Sequence, residues 1–233
     1  MADLDGTLGR TELTHFALEL EDLHQRLLQM GGLVESVIRK AVRALVDRDK
    51  TVADQVFQDE ERINQMEVEI DDIGTRLLAL HQPVARDLRF LTAALKINTD
   101  LERMGDLAVN ITERALSLIS SSPIKPLIDI PKMASLVEQM LLRSLGAFVA
   151  GDAEQARIVL LSDDEVDNLR DTIYRELVVF MQKDPATVQS AVDLMFVARD
   201  LERIADHATN IAEDVVYLVQ GVDVRHRAVE AMK

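Results

Sequence analysis

One twelve-residue segment occurs twice, as DLERMGDLAVNI from Asp100 and as DLERIADHATNI from Asp200, with eight of twelve letters identical and a displacement of 100 residues. An internal duplication of this kind constrains the fold strongly: the chain must build two similar substructures rather than one irregular one. The repeated letters include a carboxylate set, Asp100, Glu102 and Asp106 against Asp200, Glu202 and Asp206. Reuse of an apolar core alone would not require those acids.

The repeat extends beyond this segment. At a displacement of 103, Asp49, Ala53, Val56 and Ile63 meet Asp152, Ala156, Val159 and Val166. By the later segment the displacement is 100, so about three residues are lost near Pro83 and Pro185, where a turn tolerates an indel. Apolar residues recur every three or four positions, as in Leu13, Phe16, Leu20, Leu23, Leu27, Val34, Ile38 and Leu45, which is the period of an amphipathic helix. The pattern predicts helices over about 13–46, 51–81, 84–120, 132–150, 153–182 and 186–220. Asp49 to Thr51 and Gly151 with Asp152 form the turns, and Pro83 and Pro185 the breaks. SSSPIKPLIDIP, at 120–131, is the linker. The expected fold is all-α: six helices as two pseudo-repeated three-helix bundles, with domains at 1–122 and 123–233.

Composition agrees, with 48% hydrophobic residues, 3% aromatic, no Trp, 9 Gly and 5 Pro among good helix formers. A formal net charge of -15 repels phosphate backbones and anionic lipid, and no Lys/Arg cluster interleaved with aromatics offsets it; nucleic acid is not an expected partner. The absence of Cys excludes disulfides, thiolate metal sites and thiol nucleophiles. MADLDGTLGR lacks the order of a secretory signal and no run approaches 18 uninterrupted apolar residues, so a cytoplasmic protein without membrane insertion is expected.

On a helix, residues 4 and 11 apart lie within about 40° of each other. Glu102, Asp106 and Glu113 share a face, and Glu202, Asp206 and Glu213 repeat it; Asn110 and Asn210 sit at its margin, while Asp100 and Asp200 point elsewhere. Glu60, Asn64, Glu67 and Asp71 form a line on the second helix, and Asp163 and Asp167, followed by Arg170, on the fifth. A line of acids is usually a solvated face. Here the same line is apolar earlier, at Leu88, Leu91 and Leu95, and the opposite side, at Leu101, Met104, Ala108, Ile111 and Ala115, is apolar too. Carboxylates at i and i+4 repel by a few tenths of a kcal/mol (about 0.2–0.5) unless a cation intervenes. Such oxygens, with the Asn amides, suit Mg²⁺, Ca²⁺, Mn²⁺ or iron, and zinc less decisively. Arg103 and Arg203 offer a metal-free alternative as ion-pair partners.

Glu21 and His24 form one Glu-x-x-His element of the type di-iron bundles use twice, without a second copy. His207 has Leu107 as its counterpart and is expected on a helix surface; His15, His81 and His226 carry no partner signature. There is no phosphate-cradling Gly loop, and GLVES at 32–36 falls mid-helix, so no enzyme active site is expected.

FALELEDLHQRLLQMGGLVE from Phe16, LHQPVARDLRFL from Leu80 and the doubled DLERxxD together resemble the PhoU family of bacterial phosphate-uptake regulators, over nearly the whole length. The resemblance implies paired three-helix bundles, often dimeric, and multinuclear iron or zinc held by E(D)xxxD motifs. The matching positions are Glu67, Asp71, Glu102 and Asp106 in the first half and Asp163, Asp167, Glu202 and Asp206 in the second, with Asn110 and Asn210 beside them. Asn64 stands where an aspartate is common, and Arg170 takes the place of Glu67, so the halves depart from the pattern unequally. The implied activity is non-enzymatic: negative regulation of phosphate uptake and of the phosphate-starvation response, connecting the ATPase of a phosphate ABC transporter to a sensor histidine kinase. The rival expectations are a carboxylate-bundle protein for metal storage or redox work, and a metal-free helical adaptor.

Overall fold

Each helix starts and stops where local chemistry dictates. In the computed structural model, which describes residues 5–124, 127 and 129–225 with side chains from residue 15 onward, six helices appear: α1 (Asp5–Asp47), α2 (Lys50–His81), α3 (Ala85–Ile119), α4 (Asp129–Ala150), α5 (Ala153–Lys183) and α6 (Val188–Gln220). Asp49 caps α2 by accepting from the amides of Thr51 and Val52, and Asp152 caps α5 by accepting from those of Glu154 and Gln155. The residue before each cap is left-handed, Arg48 at φ 56° and Gly151 at φ 60°. The same turn is thus built twice, and only the second copy uses the residue for which that conformation costs nothing. Arg48 brings a compensation: its Nη2 donates to the carbonyls of Leu118 (2.9 Å), Ile119 (2.5 Å) and Ser121, closing the C-terminal end of α3.

At the two breaks, α2 ends in left-handed Gln82, and a 3-10 turn over Pro185–Thr187 leads into α6 with Asp184 accepting from the Ala186 amide. The fourth helix begins three residues earlier than its pattern predicts, at Asp129, and so takes in Pro131. Proline is harmless there, because first-turn amides have no helical acceptor to lose.

α1, α2 and α3 pack on one another, as do α4, α5 and α6. The halves meet through α3 against α6 and α1 against α4. This is an all-α fold of two pseudo-repeated three-helix bundles around a continuous core of Leu, Ile, Val, Met and Ala. Gly31 lets α4 approach α1 closely, since a Cβ there would stand 2.3 Å from a Leu145 methyl. Of the described helices, α4 alone has the length and mean hydropathy of a membrane span, and half of that window is buried against the rest of the protein. Its Met133, Val137, Leu141, Leu145 and Phe148 belong to the core.

Candidate functional site

The relative register of α2 and α3 decides which acids meet. A Cβ on Gly105 would lie 3.2 Å from Ile63, the Asn98 side chain donates to the Glu67 carbonyl at 2.9 Å, and Gly74 lies against Leu95. The helices are therefore antiparallel: advancing along α2 means retreating along α3. Glu67 faces Glu102, Glu60 falls toward Asp106, and Asp71 is carried the opposite way, toward Leu95.

Electrostatics agree. Burial, then the charges of Asp106, Glu67 and Glu60, raise the Glu102 carboxyl above its ordinary range, against the pull of Arg103. Asp71 is exposed and not among these neighbours, and Asn110 is exposed as well. Around Glu102 the leading acidic neighbours are thus Asp106, Glu67 and Glu60. Asn98, on the line of Glu102 and Asp106, adds a buried Oδ1 without a hydrogen-bond partner. Among the described residues no Lys or Arg nitrogen pairs with any of these four carboxylates.

The second half differs in one decisive atom group. Asp163, half-buried, is pushed up to about 6 by burial and by Asp206, Asp167, Glu202 and Asp164. Burial also raises Glu202 and Asp206, with Asp206 adding to the rise at Glu202 and Asp167 to that at Asp206. Into this group reaches Arg170, whose Nη1 lies 2.6 Å from Glu202 and 2.9 Å from Asp167, while Nη2 reaches Asp171 at 3.0 Å. All four expected acids act on one another electrostatically, although among the described residues no three of them bring ligand atoms within 4.8 Å of one another, and a guanidinium is already among them. Asn210 faces elsewhere, donating to Asp100 at 3.3 Å.

A multinuclear iron or zinc cluster, or another divalent cation, would be held by these two groups. The first half fits by its chemistry: mutually repelling carboxylates and an orphaned amide oxygen, with Arg103 acting on Glu102 only from a distance beyond ion-pair contact. The second fits less well, because Arg170 supplies the positive charge.

Several residues lie where sequence periodicity did not place them. His207 is buried rather than on the surface, with Nδ1 2.7 Å from Asp100 across α3 and α6. The apolar start of the α3 stripe is only partly core, since Leu91 is buried but Leu88 is exposed. Glu21 accepts from Gln25, whereas His24 packs edge-on against Phe90 and Phe148 with its Nε2 buried, beside a cavity of about 590 Å³. Both residues line that cavity, without the second Glu-x-x-His element that a di-iron bundle uses. His15 and His81 do converge, on Glu19, while His226 lies outside the described residues.

With this geometry fixed, resemblance to known proteins becomes specific. The sequence profile of the PhoU domain matches residues 27–115 and again 130–215, one match per three-helix bundle. The chain belongs to the PhoU family. A phosphate-specific transport system accessory protein PhoU homolog of Pseudomonas aeruginosa is 42% identical over 233 residues, 97% of this chain and 96% of that one. Its namesake in Aquifex aeolicus is 40% identical, covering 91% of this chain and 96% of that one. The crystal structure of PhoU from Pseudomonas aeruginosa superposes with a TM-score of 0.85, covering 89% of this chain and 100% of that one at 42% identity. The phosphate transport system regulatory protein PhoU from Streptococcus pneumoniae gives 0.83 at 32% identity, over 90% of this chain and 99% of that one. PhoU members by these names are accessory and regulatory proteins of phosphate transport.

Proposed function

We propose that this chain is a negative regulator of phosphate uptake and of the phosphate-starvation response, acting in the cytoplasm as a homodimeric adaptor between the ATPase of a phosphate ABC transporter and a sensor histidine kinase, without catalysis of its own. The observation that carries this reading is the nearly full-length match to proteins named for the phosphate-specific transport system. The acidic helical surface, net charge -15, supports a protein partner over nucleic acid. Metal is proposed on Glu67, Glu102 and Asp106 with Glu60, and on Asp163, Asp167, Glu202 and Asp206; it would neutralise carboxylates that otherwise repel across the helix pair. Asp71, Asn110 and Asn210 are not part of this proposed set: Asp71 and Asn110 are exposed, and Asn210 donates to Asp100. A metal-free adaptor is the second reading, favoured in the second half by the Arg170 ion pairs.

Deletion should make phosphate-responsive genes constitutive in high phosphate, and purified chain should retain both the transporter ATPase and the kinase in pull-downs. Unchanged gene control and phosphate uptake after deletion would sink the reading. Elemental analysis of tag-free protein, repeated for the Glu102→Ala, Glu202→Ala double variant, separates the metal-binding adaptor from the metal-free one.

A further inference from the structure

His15 and Glu19 stand one helical turn apart on α1, and His81 occupies the last turn of α2. The hairpin brings the three together. The Glu19 Oε2 lies 3.1 Å from His15 Nδ1 and 3.2 Å from His81 Nε2, and one donor atom from each residue falls within 4.8 Å of the others. Among the described residues this is the one group of three His, Cys, Asp or Glu side chains so closely gathered.

We infer that His15, Glu19 and His81 form a mononuclear site for a divalent transition metal of zinc type, separate in ligands and position from the carboxylate stripes. The chemistry is that of two imidazoles and one carboxylate, a set that binds zinc with nitrogen and oxygen at about 2.0–2.2 Å. Two such ligands on a tetrahedral ion stand roughly 3.3 Å apart from each other, and both Glu19 contacts approach that spacing. Both imidazoles address the same carboxylate oxygen from different helices, so a metal would need only small side-chain adjustments. The ring of Phe16 packs against His81 at 4.8 Å and restricts its rotation. Glu19 and His81 are about three-quarters covered while His15 is 69% exposed, which leaves a fourth position for water or a further ligand on the solvent side. Hard cations such as Mg²⁺ are disfavoured, because two of the three donors are imidazole nitrogens. The ion would clamp the N-terminal part of α1 to the end of α2.

The test uses tag-free, full-length protein stripped with chelator and then equilibrated with Zn²⁺ or Co²⁺. Wild type should show the visible d–d absorption of a tetrahedral Co²⁺ centre. His15→Ala and His81→Ala should each abolish that band and lower bound zinc by one equivalent per chain, and Glu19→Gln should weaken both. The Glu102→Ala, Glu202→Ala variant should keep the band, which distinguishes this site from the stripes. His15 is solvent-facing, so its truncation leaves the helices folded, as circular dichroism would verify. Equal zinc content and an unchanged Co²⁺ spectrum in His15→Ala, or a band lost only with the stripe acids, would overturn the inference.

Discussion

At the residue scale, the two halves solve the same packing problem with different letters. Gly105 in α3 faces Ile63, whereas the repeat places Ala205 in α6 at the position equivalent to Gly105 and Val166 in α5 at that of Ile63, both wholly buried. One methyl has moved from one helix to the other. Gly105→Ala should therefore crowd Ile63, and Ile63→Val should relieve it. Chemical denaturation of both single variants and the double should give a favourable coupling of about 1 kcal/mol; additive effects would refute the exchange. Asp163 provides a second residue-scale test. Its folded value of about 6 stands above its ordinary 3.8, so the folded protein holds a proton that the unfolded chain releases between those values. Above about pH 6 its ionised form costs stability in full; as pH falls toward 4 the cost disappears. In metal-free protein, Asp163→Asn should exceed wild type in stability at pH 7 by on the order of 1 kcal/mol, a figure discounted for the solvent exposure of a half-buried group, and should match it near pH 4.

At the element scale, the acidic helix pairs differ because Arg170 on α5 answers acids that α2 leaves unanswered. Arg170→Ala should lower the melting temperature in the presence of chelator, by Glu202 and Asp167 losing their partner, and millimolar Mn²⁺ or Zn²⁺ should restore part of it. Glu102→Ala should instead raise stability in chelator and reduce the response to added metal. Thermal melts with and without metal check both. Periodicity and turn chemistry were enough to place all six helices, the turns that hold Asp49 and Asp152 and the acid lines, because those depend on neighbours within one or two turns. The nearness of Glu60 to the α3 acids was hidden, since it depends on the antiparallel register of two helices. His81 meets Glu19 across 62 residues, and His207 meets Asp100 across 107, separations that no local pattern encodes. The His15 and Glu19 spacing of four was the one local sign of that cluster.

At the scale of the whole molecule, the halves are joined by core packing and by buried or half-buried polar pairs between α3 and α6. Lys96 meets Asp214 at 2.7 Å, Arg114 meets Asp193 at 3.3 Å, and Asp100 meets His207 at 2.7 Å. The two bundles should consequently unfold as one unit, with a single calorimetric transition. His207→Ala would leave the Asp100 carboxylate short of a partner in the seam, at a cost of about 2 kcal/mol, and should lower the entire transition by about 5 °C. Two separated transitions in wild type would show that the halves are thermodynamically independent.

Arg48 has a consequence for the path of the chain between those halves. The carbonyls of Leu118, Ile119 and Ser121 are all held by this one side chain from the α1–α2 turn, whereas α6 ends on Gly221, whose amide donates back to Tyr217. The point at which the polypeptide leaves the first bundle is thus nailed down by a distant residue together with the Ser121 amide, which donates to the Leu118 carbonyl, and, among the described residues, not by anything beyond Ser122. Lengthening the stretch after Ser122 with glycine and serine should therefore leave α3 unfrayed, and evolution could vary the tether between the bundles without disturbing either one.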